Sequence, residues 1–150
     1  MMSYAVPSRE KAKTFGQVFT PAGTVFDMVL LKEFIPLLKD VDKTFLDPAV
    51  GEGQFPCATL VWKLFFNIER LDEDLALRAL KSLYGIDIQP SSVDKTREHL
   101  ILTLCDAYKF FTGGNFSRLD EARAIVEKNI FYGDSLEIMK QWAEPQLSLF

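Results

Sequence analysis

One histidine and two cysteines are all the imidazole and thiol groups in this 150-residue chain. Cys57 and Cys105 stand in no metal-ligand spacing, and a lone histidine cannot complete a zinc set, so a zinc centre is excluded. Both cysteines lie in apolar helical surroundings and are expected to be buried free thiols. No hydrophobic run reaches the roughly 20 residues of a membrane helix. The start, MMSYAVPSREKAK, has no apolar signal core. A cytoplasmic protein with no membrane partner is predicted. Positive charge is scarce too: 17 Lys and Arg stand against 21 Asp and Glu, for a net charge of −4 and a pI near 5.0. A free-standing nucleic-acid binder usually carries a basic stripe. The dense basic patch here is Arg9, Lys11 and Lys13, interrupted by Glu10, and its plain reading is a solvated N-terminal arm.

Apolar residues are plentiful. They make up 48% of the chain, and 13 residues are Phe, so a substantial, largely aromatic core is expected. The length suits one domain. Residues 1–16 read as an arm, 17–142 as the folded domain and 143–150 as a tail. From Thr20 to Leu38, Val25, Met28, Val29, Phe34, Leu37 and Leu38 recur at helical spacing. Thr20 would cap that helix, Pro21 would open it, and Pro36 would kink or end it. A short strand follows at Thr44–Leu46, then helices over 53–68 and 72–81. A second strand spans 82–88. A helix follows over 91–111, capped by Ser91 or Ser92, then a loop at 112–115 and a helix at 119–128. A third strand over 129–133 leads into a short helix at 135–142. Strands alternating with helices predict an α/β fold with a parallel sheet and right-handed crossovers.

The sharpest local signal is Asp47-Pro-Ala-Val-Gly-Glu-Gly-Gln-Phe55. A strand ends in an acid, Gly51 and Gly53 follow, and a helix begins. Such glycines let the backbone turn tightly and approach a ligand, while the helix start offers free N–H groups. The phosphate-cradling version needs a third glycine, and position 56 is Pro. That counts against dinucleotides and suits a ligand without a pyrophosphate. Asp87, in Tyr84-Gly-Ile-Asp-Ile88, closes the second strand, where an acid accepts both hydrogen bonds from a ribose diol. Ile88 beside it would pack on a purine face. A turn or cap role for Asp87 is the plainer alternative. Asp134 follows the third strand, placed to accept from an exocyclic amine or to cap the next helix; the two roles are compatible.

These segments resemble, in order, those of the N6-adenine DNA methyltransferases of restriction–modification systems. Phe15-Gly-Gln-Val-Phe-Thr-Pro21 resembles the family's Q-x-F-T-P segment. Residues 47–55 resemble its D-P-A-C-G-S-G-x-F loop, with Val50 in place of a Cys or Gly. Tyr84–Ile88 resembles its second-strand acid segment, and Gly133-Asp134-Ser-Leu136 its G-D-x-L segment. The resemblance implies a Rossmann-like class I methyltransferase fold, here with a truncated parallel sheet of three to four strands flanked by helices. It implies S-adenosylmethionine as cofactor. Thr20 and Pro21 would line its methionine side. Asp47, with Pro48 and Ala49, would sit by its ammonium, and Gly51, Gly53 and Phe55 would lie against it. Asp87 would take its ribose hydroxyls, Ile88 its adenine face and Asp134 its adenine amine, with Leu136 nearby.

The family's catalytic Asn/Asp-Pro-Pro-Tyr segment has no counterpart, because the sequence contains no Pro-Pro pair. No catalytic residue is therefore assigned. The resemblance then implies a cofactor-binding part of a DNA-modifying enzyme, inactive or incomplete alone. DNA would be gripped by a missing or partner region, such as a second methyltransferase subunit. The last five residues, Gln146-Leu-Ser-Leu-Phe150, resemble the pentapeptide by which bacterial proteins dock on the sliding clamp. Gln146 would orient it, Leu147, Leu149 and Phe150 would fill an apolar pocket, and Pro145 would keep it out of the preceding helix. The alternating pattern also fits a strand stub beside the first strand. The alternative function is an inactive methyltransferase-like module tethered to the clamp.

Overall fold

A computed structural model of the chain describes residues 33–147, with side chains through Trp142. The elements run α1 (Ile35–Lys39), β1 (Phe45–Asp47), α2 (Gln54–Phe66), a 3-10 turn (Ile68–Arg70) and α3 (Glu73–Lys81). They continue with β2 (Leu83–Asp87), α4 (Pro90–Thr112), α5 (Leu119–Asn129), β3 (Ile130–Tyr132) and α6 (Ser135–Leu147). The sheet has three strands in the order β1-β2-β3, all parallel. Parallel neighbours need long crossovers, and each crossover here contains a pair of helices. The expected α/β architecture, a parallel sheet flanked by helices, is what forms, with three of the expected three to four strands among the described residues.

The core centres on α2, whose residues Pro56–Phe65 are all buried. A helix apolar on every side must be covered on every side. It is: α2 touches α1, α3, α4, β1 and β2. Trp62, Phe65 and Phe66 form a ring cluster along it, extended by Phe111 of α4. Cys57 lies inside this core, and burial pushes its thiol pKa up to about 12. Cys105, expected to be buried, is only half-buried, because it sits at the border of the apolar face of α4.

Prolines and caps account for most departures from expectation. The N-terminal part of the helix predicted over 20–38 lies outside the described residues. Pro36, expected to kink or end that helix, stands in the first turn of α1 instead. First-turn N–H groups have no intrahelical acceptor, so a proline costs nothing there. Ser91 and Ser92 do not cap α4. Pro90 takes its first position, making extended Gln89 the N-cap residue. Finally, the helix predicted over 135–142 runs on to Leu147, with Pro145 inside its last turns. Pro145 therefore does not separate Gln146 and Leu147 from the helix, which gives up one hydrogen bond to continue. Neither of these residues joins the sheet, so a strand stub beside β1 is not what they form.

Lys63 is the least expected core residue. It sits on α2 with no solvent exposure. Its Nζ donates to the Lys43 carbonyl at 2.5 Å, the Val41 carbonyl at 3.1 Å and Ser82 Oγ at 2.7 Å. The ammonium lies 5.0 Å from the centre of the Phe45 ring. One side chain thus ties the approach to β1 to the end of α3. Burial lowers its pKa from 10.5 to about 8, against the opposing pull of Asp40 and Asp42. The unfolded chain therefore holds a proton that the folded chain has lost between pH 8 and pH 10.5, and stability contributed through Lys63 rises with pH across that window. Lys63→Met is expected to lower stability at neutral pH by about 1–3 kcal/mol, since it leaves buried acceptors unpaired. Denaturant titrations should show wild type gaining on this variant as pH rises from 8 to 10.5.

Candidate functional site

In a parallel sheet the carboxyl ends of the strands lie together at one edge, where ligands of open α/β folds bind. Register places Asp47 opposite Gly85 and Asp87 opposite Tyr132. The segments singled out from sequence meet there, joined by specific hydrogen bonds. Gly51 N–H donates to Asp87 Oδ2 at 2.9 Å. Gln89 N–H donates to Asp87 Oδ1 at 2.8 Å. Gly133 N–H donates to the Asp87 carbonyl at 3.0 Å. Asp87 therefore contacts the segment after β1, the start of α4 and the turn after β3 at once.

The loop between β1 and α2 owes its shape to its glycines. Gly51 has φ +57° and Gly53 φ +92°, and Gly53 is the N-cap residue of α2. Side-chain-bearing residues pay for such angles. The two differ in surroundings. A Cβ on Gly53 would come within 3.0 Å of the Thr96 side chain, whereas one on Gly51 would meet nothing within 4 Å among the described residues. Gly53 is pressed against α4, and Gly51 opens outward. Val50, the residue departing from the family pattern, is buried, and its N–H reaches the Ile86 carbonyl at 2.9 Å.

Asp47 closes β1, and its Oδ1 accepts the Ala49 N–H at 3.0 Å. Burial raises its pKa above 3.8, and the charge of Asp87 adds to the rise against the Ala49 hydrogen bond. Asp134 accepts the Leu136 N–H at 3.0 Å on Oδ1, which makes it the cap of α6. Ile88 is 65% exposed and Leu136 78% exposed, so both present apolar surface at the edge where Asp87 sits. On the outer flank of β1, Phe34, Leu46, Pro48, Phe55 and Tyr84 line an apolar hollow of about 280 Å³ that reaches Asp47.

Asp47, Gly51, Asp87 and Asp134 thus share one edge, with Pro48 and Phe55 on its β1 flank. Thr20 and Pro21 lie outside the described residues, as do Leu149 and Phe150 of the tail. Gln146 and Leu147 are helical in backbone. Sequence reasoning missed Thr96 and His99 of α4. Thr96 Oγ1 donates to the Gly51 carbonyl at 2.8 Å, and His99 Nδ1 lies 2.6 Å from the Glu52 carbonyl. No local pattern marks them, since their partners are more than 40 positions away. Among the described residues no group of His, Cys, Asp and Glu is arranged to hold a metal ion, and no helix is long and apolar enough to cross a membrane.

No protein-family model matches the chain, and no curated protein and no solved structure is significantly similar to it.

The raised pKa of Asp47 has a consequence for stability. Folding takes up a proton between pH 3.8 and the higher folded-state value, so stability contributed through Asp47 grows as pH falls through that window. Above it, the half-buried carboxylate is a cost. Asp47→Asn keeps the acceptor for Ala49 and removes the charge. It is expected to stabilise the chain at pH 7 by up to about 1 kcal/mol. That advantage should shrink in acid unfolding titrations as wild-type Asp47 becomes protonated.

Proposed function

We propose that the chain binds S-adenosylmethionine at the carboxyl edge of its sheet, as the cofactor-binding part of an N6-adenine DNA methyltransferase of Rossmann-like class I fold. The observation that carries this reading is the join between the glycine loop and the second-strand acid, Gly51 N–H to Asp87 Oδ2 at 2.9 Å, with Asp47 beside them. The residues fit the cofactor on three counts. Asp87 accepts one backbone N–H on each oxygen, and an ionised carboxylate has about four acceptor positions, so two remain for a ribose diol. Asp47 and Asp87 form a carboxylate pair whose mutual repulsion a cationic ligand relieves; an ammonium or a sulfonium does so, a phosphate does not. Ile88 and Leu136 offer exposed apolar faces for a purine. Bound there, the cofactor would supply an electrophilic methyl group on sulfur.

These 150 residues contain no Pro-Pro pair, so the group that would hold a target adenine amine is not among them. Positioning supplies much of the rate in such transfers. The reading therefore separates binding from catalysis. Calorimetry with S-adenosylmethionine should give saturable one-site binding. Asp87→Ala should weaken it by at least about tenfold, the cost of losing charge-assisted hydrogen bonds to the diol. Methyl transfer to adenine-containing DNA by this chain alone should stay at background. An absence of binding by wild type, or robust turnover, refutes the assignment.

A second reading concerns the tail. We propose that Gln146, Leu147, Leu149 and Phe150 dock on the bacterial sliding clamp. It rests on the residue types of the pentapeptide; among the described residues Gln146 and Leu147 are helical and outside the sheet, which removes the strand-stub alternative for them. Clamp-coated beads should retain the chain and lose it when Leu149 and Phe150 are changed to Ala. Equal retention of that double variant would defeat the reading.

A further inference from the structure

We propose that Thr96 and His99 of α4 are positioning residues that hold the glycine loop in the shape that leaves its outer side open to a ligand. The proposal rests on the reading of the strand-tip edge as a cofactor site. The loop has little to fix it from within. Gly51 and Gly53 carry no side chains, and glycine loses more conformational freedom on ordering than any other residue. The Glu52 side chain points to solvent and makes an exposed ion pair with Lys95 at 3.3 Å, a contact of small energetic weight.

What fixes the loop is α4. Thr96 and His99 are three residues apart, hence on one helix face. Thr96 is fully buried and donates from Oγ1 to the Gly51 carbonyl at 2.8 Å. His99 is half-buried, and its Nδ1 stands 2.6 Å from the Glu52 carbonyl. A carbonyl only accepts, so Nδ1 must carry the hydrogen, and this contact selects the Nδ1–H form of the neutral ring. Gly53 completes the fit: a Cβ there would crowd the Thr96 side chain at 3.0 Å, and its φ of +92° strains any residue that carries one.

The backbone groups of the loop are then almost fully assigned. Gly51 N–H goes to Asp87, and the Gly51 and Glu52 carbonyls go to α4. Gly53 N–H goes to the Val50 carbonyl, and the Gly53 carbonyl accepts from Cys57 N–H. Of the backbone groups of these three residues, Glu52 N–H alone has no partner among the described residues. Two side chains of one helix thereby hold the Gly51 and Glu52 carbonyls against α4, while the position of a Gly51 Cβ stays uncovered among the described residues.

Four variants of the full chain test this: Thr96→Val and His99→Leu, which delete the donors, and Thr96→Ser and His99→Asn, which keep one. Affinity for S-adenosylhomocysteine is measured by calorimetry, and amide hydrogen exchange is followed at residues 51–53. The deleting pair should each weaken binding about fivefold to tenfold and speed exchange at the loop, while the conserving pair stays within about twofold of wild type. In ¹⁵N spectra the neutral His99 ring should show Nδ1 as the protonated nitrogen. The proposal is overturned if Thr96→Val and His99→Leu match wild type, or if the conserving variants fall as far as the deleting ones. Should wild type bind neither S-adenosylmethionine nor S-adenosylhomocysteine, the cofactor reading fails, and exchange still decides the loop clamp: selective loosening supports it, unchanged protection ends it.

Discussion

The carboxylate of Asp87 holds the site edge together. It sits at the end of the central strand, and the three hydrogen bonds at this residue reach the loop after β1, the N-cap residue of α4 and the turn after β3. Parallel strands linked by long crossovers have no tight turn to set the relation between their tips. Here that relation depends on one residue whose neighbours in space are far away in sequence. Hydrogen bonds to an ionised acceptor are roughly twice as strong as neutral ones, so a carboxylate suits this task better than an amide or hydroxyl. Gly51 N–H reaches across to it from the neighbouring loop, and the φ of +57° then turns the chain onward toward α2.

Helix α4 supports the arrangement from behind. Within four residues it sends Thr96 and His99 to the glycine loop and Arg97 to the β3 side, where the guanidinium donates to the carbonyls of Glu127 and Ile130. Lys63 does the equivalent work below β1, gathering carbonyls that would otherwise be buried unpaired. Both are polar side chains spent on backbone acceptors. Buried acceptors left alone cost about 1–3 kcal/mol each, so such side chains set where the loops lie although they add little apolar burial.

What was legible in the sequence was whatever is decided locally. The strands at 45–47 and 83–87 and the helices at 54–66 and 73–81 follow from short-range periodicity, and the glycine loop from its residue types. Asp72, for instance, caps α3 through its own side chain, a bond spanning three positions. Proline position misled at both ends of the described chain, and a proline displaced the expected serine cap, for one physical reason. Its effect depends on where a helix starts, and that is set by packing rather than by the proline: Pro36 and Pro90 open helices, and Pro145 is carried inside one. The burial of Lys63 was illegible because a lysine within an apolar stretch reads as a helix's one wet position. Only the fold reveals that carbonyls from residues 41 and 43 await it. Thr96 and His99 were hidden likewise, in a helix whose periodicity explains its apolar residues and says nothing about its polar ones.

The charge at the strand tips bears on which ligand is favoured. A helix N-terminus attracts anions, and α2 begins directly after the glycine loop. That attraction corresponds to roughly half a positive charge, worth about 0.3–1 kcal/mol near a surface. Against it stand two carboxylates, Asp47 and Asp87, close enough that the charge of Asp87 helps raise the pKa of Asp47. Two full negative charges outweigh half a positive one at comparable range. Helix and acids together therefore disfavour a phosphate and favour a ligand that brings positive charge along with a diol. The proline at position 56, where a phosphate loop would place its third glycine, points the same way by an independent route. A dinucleotide would have to overcome both the charge and the missing glycine, whereas a cationic adenosyl cofactor meets neither obstacle.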